Sequence, residues 1–213
     1  MTRNTLIEEF VGRLPFTLTH SQERVVNEIK EDLRKPVPMM RLLQGDVGSG
    51  KTIVSLLAAC NTIMSGFQVA VMAPTEILAR QHYNLAKRIF PKKLRIQLIS
   101  GKSDYKTKKD ILKKLTTNEI DIIFGTHAIF QKKVIYKNLG LIIIDEQHKF
   151  GVNQRKRLSD KGGNNCDVLL MTATPIPRTL TMTMYGDMDL SIIAEKPKQR
   201  RPIKTYSKLE SKI

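Results

Sequence analysis

Six short apolar runs recur along the chain: MMRLLQG (39–45), QVAVMAP (68–74), RIQLIS (95–100), IDIIFGT (120–126), LGLIIID (139–145) and DVLLMTA (167–173). Most are Val-, Ile- or Leu-rich, as strands buried on both faces of a parallel sheet tend to be. Between the first two, TIVSLLAACNTIMSG reads as a helix stopped by Gly66; after the second, TEILARQHYNLAKRIF reads as an amphipathic helix closed by Pro91. Strands alternating with helices imply right-handed crossovers and an α/β, doubly wound, mainly parallel sheet of about six or seven strands. Residues 1–14 read as a lead-in helix and 15–195 as one domain. The basic, proline-punctuated stretch 196–213 reads as a linker, so the chain is expected to stop where something else begins. There is no internal repeat and no low-complexity tract.

Charge adds a partner to this picture. With 36 basic and 20 acidic residues the formal net charge is +16, which points to a polyanion partner such as nucleic acid. A Lys-, Ile- and Asn-rich composition is also what codon bias in an AT-rich genome produces. Residues 87–114 hold eleven Lys or Arg against Asp104 and Asp110. Cys60 and Cys166 lack metal-ligand spacing and fit a reduced cytoplasmic compartment. The first ten residues, MTRNTLIEEF, carry charges where a signal peptide needs an apolar core, and no run approaches membrane-span length.

The sharpest chemistry lies in GDVGSGKT, Gly45 to Thr52, between a predicted strand and a predicted helix. Gly, four residues, Gly, Lys, then Ser or Thr is a phosphate cradle: glycines let successive N–H groups curl into an anion nest, and the helix adds its positive end. An accidental match in a chain this long has odds of roughly one in a hundred. Lys51 is expected to reach the β- and γ-phosphates of ATP, and the Thr52 hydroxyl to ligate Mg²⁺. The adjacent acids Asp145 and Glu146 end a buried apolar run, at the strand end where ligands of parallel sheets sit. Asp145 is expected to hold Mg²⁺ through water, and Glu146 to orient and deprotonate the attacking water.

With these motifs in hand, the chain resembles the superfamily 2 helicases, and within them the RecG family of branched-DNA helicases. The resemblance covers nearly the whole chain as the first of two RecA-like motor lobes. It makes LPFTLTHSQ (14–22) the adenine-reading segment with Gln22 as reader, and Gly45, Gly48, Ser49, Gly50, Lys51 and Thr52 the ATP cradle. It makes APTEILARQH (73–82) and GTHAI (125–129) strand-contacting motifs, with Thr75, Arg80, Gly125, Thr126 and His127 as DNA candidates. DEQH (145–148) and TATP (172–175) become the hydrolysis and coupling motifs, with His148, Thr172 and Thr174 in the coupling role. The extended forms DEQHKFGVNQR and MTATPIPRTL are shared with the related Mfd translocase; Ser49 and Gln147 favour RecG. The resemblance implies ATP-dependent remodelling of branched DNA in recombination and repair. It also implies that the RecG wedge domain and the second lobe, with its arginine finger, are absent from these residues.

Several residues keep two readings. His82 and His127 either contact the strand or cap a turn, and Phe16 and Tyr83 either stack on bases or belong to the core. The basic stretch 87–114 is either a DNA track or a solvated face. Arg155, Arg157 and Arg178 suit a lobe interface or sheet edge better than catalysis, and Arg200 and Arg201 lie in the linker. The competing functions are an Mfd-like motor on duplex DNA and a nucleotide- or DNA-binding module without motor activity.

Overall fold

The computed structural model describes residues 5–101, 103–145, 166–174 and 188–195. In chain order these form α1 (Thr5–Gly12), α2 (His20–Asp32), β1 (Met40–Gly45), α3 (Lys51–Met64), β2 (Gln68–Met72), α4 (Glu76–Ile89) and β3 (Ile96–Leu98). Then follow α5 (Tyr105–Thr116), β4 (Ile122–Gly125), a 3₁₀ turn (His127–Phe130), β5 (Leu139–Ile144), β6 (Asp167–Thr172) and β7 (Asp189–Ile193). The strands make one seven-stranded sheet in the order β3-β4-β2-β5-β6-β1-β7, every pair parallel. All six strands expected from the apolar runs are present, and a parallel sheet places all their carboxyl ends along one edge.

Alternation along each strand splits the core into two layers. Leu43, Val69, Val71, Phe124, Leu141, Ile143 and Leu169 face α1 to α4, while Leu42, Ala70, Met72, Ile123, Ile142 and Ile144 pack with Ile111 and Leu115 of α5. Each such side chain removed from water contributes about 1.5–3 kcal/mol, which is why β5, buried at all six positions, reads as an unbroken apolar run. The lead-in helix α1 joins the same core: Phe10 is fully buried with its ring centroid 5.3 Å from that of Phe90.

Among the elements that the apolar pattern did not mark are α2 and β7. The helix α2 is set by Thr19, whose hydroxyl accepts from the Gln22 N–H while the Gln22 side chain accepts from the Thr19 N–H. This Thr-x-x-Gln capping box was written in THSQ, and it is the signal that finds the helix. Among the described residues the edge strand β7 pairs with β1 alone, and it buries only Ser191 and Ile193. A buried polar network holds it: Arg41 of β1 donates to Asp32 at 2.7 Å and to the Ser191 hydroxyl at 2.7 Å. Burial disfavours the Asp32 carboxylate, but hydrogen bonds from Lys35 and Arg41 outweigh it and hold its pKa below the ordinary 3.8. Burial pushes both the Cys60 and Cys166 thiols up to about 12, so neither is a thiolate near neutrality.

Candidate active site

The loop after β1 opens onto α3 and lies where the motif requires it. Gly50 caps α3 in the left-handed region, φ +92°, and a Cβ there would sit 2.2 Å from the Gln22 amide nitrogen. Any side chain would therefore be strained by its backbone and would collide with α2. Gln22 itself is 1% exposed and its Nε2 donates to the Ser49 carbonyl at 2.7 Å. The amide expected to read adenine thus ties the phosphate loop to the start of α2. The Lys51 ammonium donates to the carbonyls of Gly45 at 2.6 Å and Asp46 at 2.9 Å, curled over its own loop.

A cleft of about 1070 Å³ opens beside this loop, lined by Phe16, Gln22, Gly48, Gly50, Lys51, Thr52, Asp145, Ala173 and Glu195 among others. Its size matches the upper end of small-molecule and cofactor sites, about 300–1,000 Å³. The cradle from β1, the acid from β5 and the stretch after β6 are brought together although almost a hundred residues separate Thr52 from Asp145. Thr52 and Asp145 are oxygen donors, the chemistry a hard cation such as Mg²⁺ prefers, and two protein donors leave room for phosphates and waters. No group of three or more His, Cys, Asp or Glu side chains forms a self-sufficient metal cluster among the described residues. The donor set therefore fits an ion carried in with nucleotide. Glu195, which no sequence signal marked, reaches the same cleft and accepts from the Ser21 N–H at 3.4 Å.

The strand-contacting candidates leave the same sheet edge from β2 and β4, on the far side of β5 from the cradle. Thr75 is exposed and caps α4, its hydroxyl accepting from the Leu78 N–H at 3.2 Å; Arg80 and His127 are exposed and Thr126 half-buried. Gly125 is buried, its carbonyl accepting from the Ala73 N–H, and a Cβ there would meet Ile129 at 2.5 Å. Tyr83, half-buried, packs edge-on against Phe124 at the margin of the core with Lys87 over its ring, whereas Phe16 lines the cleft. Several cations of the basic stretch are engaged locally: Arg95 with Asp121, Lys93 with Glu9 and Lys114 with Asp110. In the coupling motif the Thr172 and Thr174 hydroxyls lie 3.0 Å apart. Glu146, Gln147, His148, Arg155, Arg157, Arg178, Arg200 and Arg201 lie outside the described residues. A second cleft, about 480 Å³, opens at the other end of the sheet beside Lys30, Val37 and Phe67, and holds none of the predicted site residues.

Residues 19–183 match the DEAD/DEAH box helicase family. The chain belongs to that family. Within it, the chain is 50% identical over 204 residues to the ATP-dependent DNA helicase RecG of Bacillus subtilis, covering 95% of this chain and 30% of the relative. It is 52% identical to RecG of Haemophilus influenzae, covering 94% of this chain and 29% of the relative. A solved structure of RecG bound to a three-way DNA junction superposes with a TM-score of 0.81 at 43% identity, over 94% of this chain and 27% of that one. The Hef helicase domain of Pyrococcus furiosus shares the fold at TM-score 0.62 and 19% identity, over 83% of this chain and 38% of that one. The chain spans less than a third of the length of these RecG relatives. The similarity favours RecG over Mfd among the readings of this DEAD/DEAH box chain. Among the described residues no helix is long and apolar enough to cross a membrane.

Proposed function

We propose that residues 15–195 form the ATP-binding motor lobe of a RecG-like, ATP-dependent DNA helicase that remodels branched DNA in the cytoplasm, with 196–213 leading to a second lobe. One observation carries the reading: the phosphate loop and Asp145 wall one cleft, and the segments 73–82 and 125–129 leave the same sheet edge beside it. The RecG relatives, named as ATP-dependent DNA helicases, support the same assignment. Lys51 exchanges its two loop carbonyls for phosphate oxygens, and the N–H groups of the loop cradle the rest of the polyphosphate. Thr52 and Asp145 would hold Mg²⁺, which would supply positive charge against that of the phosphate oxygens. Glu146 is assigned to the water that attacks γ-phosphorus, forming one P–O bond as the bond to ADP breaks. Thr75, Arg80, Thr126 and His127 meet the phosphate backbone of a strand.

The test is a thermal melt with millimolar Mg-ADP. At a hundredfold excess over Kd, binding adds about 2.7 kcal/mol, or roughly 5–10 °C for a domain of this size. Lys51→Ala should remove the shift. No shift in the unaltered chain would refute the nucleotide site. Steady-state hydrolysis with forked DNA should stay slow for the 213 residues alone, because the arginine finger expected on a second lobe contributes about 10³–10⁵ in rate in other phosphoryl-transfer systems. Rapid DNA-stimulated turnover by these residues alone would refute that division of labour.

A further inference from the structure

The two histidine readings for His82, strand contact or turn cap, both miss where the structure puts it. His82 lies mid-helix in α4, in the buried stripe with Ala79, Ala86 and Ile89, and its side chain is 11% exposed. Its Nε2 meets Asp145 Oδ2 at 2.6 Å. An Asp carboxylate oxygen accepts, so Nε2 is the donor. Asp145 is also fixed through its backbone, whose N–H donates to the Met72 carbonyl at 2.9 Å at the end of β2. The next residue, Ala73, donates its N–H to the Gly125 carbonyl at the end of β4. The strand ends that carry the acid and both strand-contacting segments are therefore laced together. His82 is the side-chain rung of that lacing, two turns along the helix that Thr75 caps.

We propose that His82 is a positioning residue for the nucleotide site: by holding Asp145 Oδ2 from α4, it presents the remaining carboxylate oxygen to the water shell of nucleotide-bound Mg²⁺. This rests on the proposed nucleotide site. Partners that orient a metal-binding group from behind typically change metal affinity about 10–100-fold when removed. The contact also places the helix bearing Thr75 and Arg80 one hydrogen bond from the metal-binding acid.

The experiment is a Mg²⁺ titration of fluorescent ADP binding to the full 213-residue chain, with thermal melts run without nucleotide. His82→Leu fills much of the same space without a donor and should raise the half-saturating Mg²⁺ at least about tenfold. Binding of ADP in EDTA should be unchanged. His82→Gln, which restores an N–H donor, should recover most of the Mg²⁺ dependence. A purely structural role predicts lower melting temperatures for both variants with the Mg²⁺ midpoint unmoved, and that result overturns the proposal. Equal Mg²⁺ midpoints for Leu and Gln also overturn it. If the unaltered chain binds ADP without any Mg²⁺ dependence, the metal site itself falls, and this inference with it.

Discussion

Replacing Gln22 with Ala should destabilise the chain before any nucleotide is present. The side chain makes two hydrogen bonds that the substitution deletes: its Nε2 to the Ser49 carbonyl at 2.7 Å and its Oε1 from the Thr19 N–H at 2.9 Å. Ser49 is 1% exposed, so its carbonyl is left without solvent. A buried group stranded in this way costs about 1–3 kcal/mol. Thr19 is half-buried and regains water, so losing the cap costs nearer the lower end of about 0.5–2 kcal/mol. The sum is about 2–3 kcal/mol, read as a fall of roughly 5–10 °C in Tm or as a lower urea midpoint with unchanged slope. Gln22→Glu sharpens the test. It keeps the acceptor for Thr19 but turns a carboxylate oxygen toward the Ser49 carbonyl, so it should be at least as damaging. Were Gln22 only a base reader, both variants would lose nucleotide affinity and keep their stability. A loss under about 0.5 kcal/mol, the range of ordinary surface substitutions, would refute the tie between loop and helix.

Asp32→Ala should cost about 1.5–3 kcal/mol, measured by urea unfolding at neutral pH, because Arg41 loses its 2.6 Å partner while Glu28 at 3.5 Å, Asp189 at 3.7 Å and the Ser191 hydroxyl still face it. Because the folded pKa of Asp32 lies below 3.8, its stabilisation is complete above that value and is lost as pH falls below it toward the folded pKa. The acid limb of the stability curve below about pH 4 should therefore flatten in Asp32→Asn. DNA binding, followed by fluorescence anisotropy, should be sequence-independent and weaken with salt at about −0.9 in log–log slope per neutralised phosphate of duplex. Arg80→Ala should reduce that slope by roughly one, whereas reversing the lysines of 106–114 should change it less; the opposite order would make the basic stretch the DNA track.

The sequence alone determined the sheet and the phosphate loop. Both are written in short-range patterns: apolar runs long enough to cross a buried sheet, and a glycine spacing that only a tight anion-binding turn requires. It also determined that Asp145 ends a buried strand, since a charge directly after four apolar residues can only emerge at a sheet edge. Local pattern failed where a neighbour in space does the holding. The strand β7 has its apolar residues interrupted by Ser191 and buries only two of its five positions, so it makes no continuous apolar run; it is secured by Arg41, 150 residues earlier. Gln22 could be read as a donor and an acceptor, but which atoms it serves depends on α2 packing against the phosphate loop. His82 was one histidine among four until the fold laid α4 over β3 and β4 and brought its ring to Asp145, 63 residues away in sequence. Propensity and spacing act over a few residues and can be read in a line; a hydrogen bond between distant side chains exists only once the core has fixed two backbones to within a fraction of an ångström.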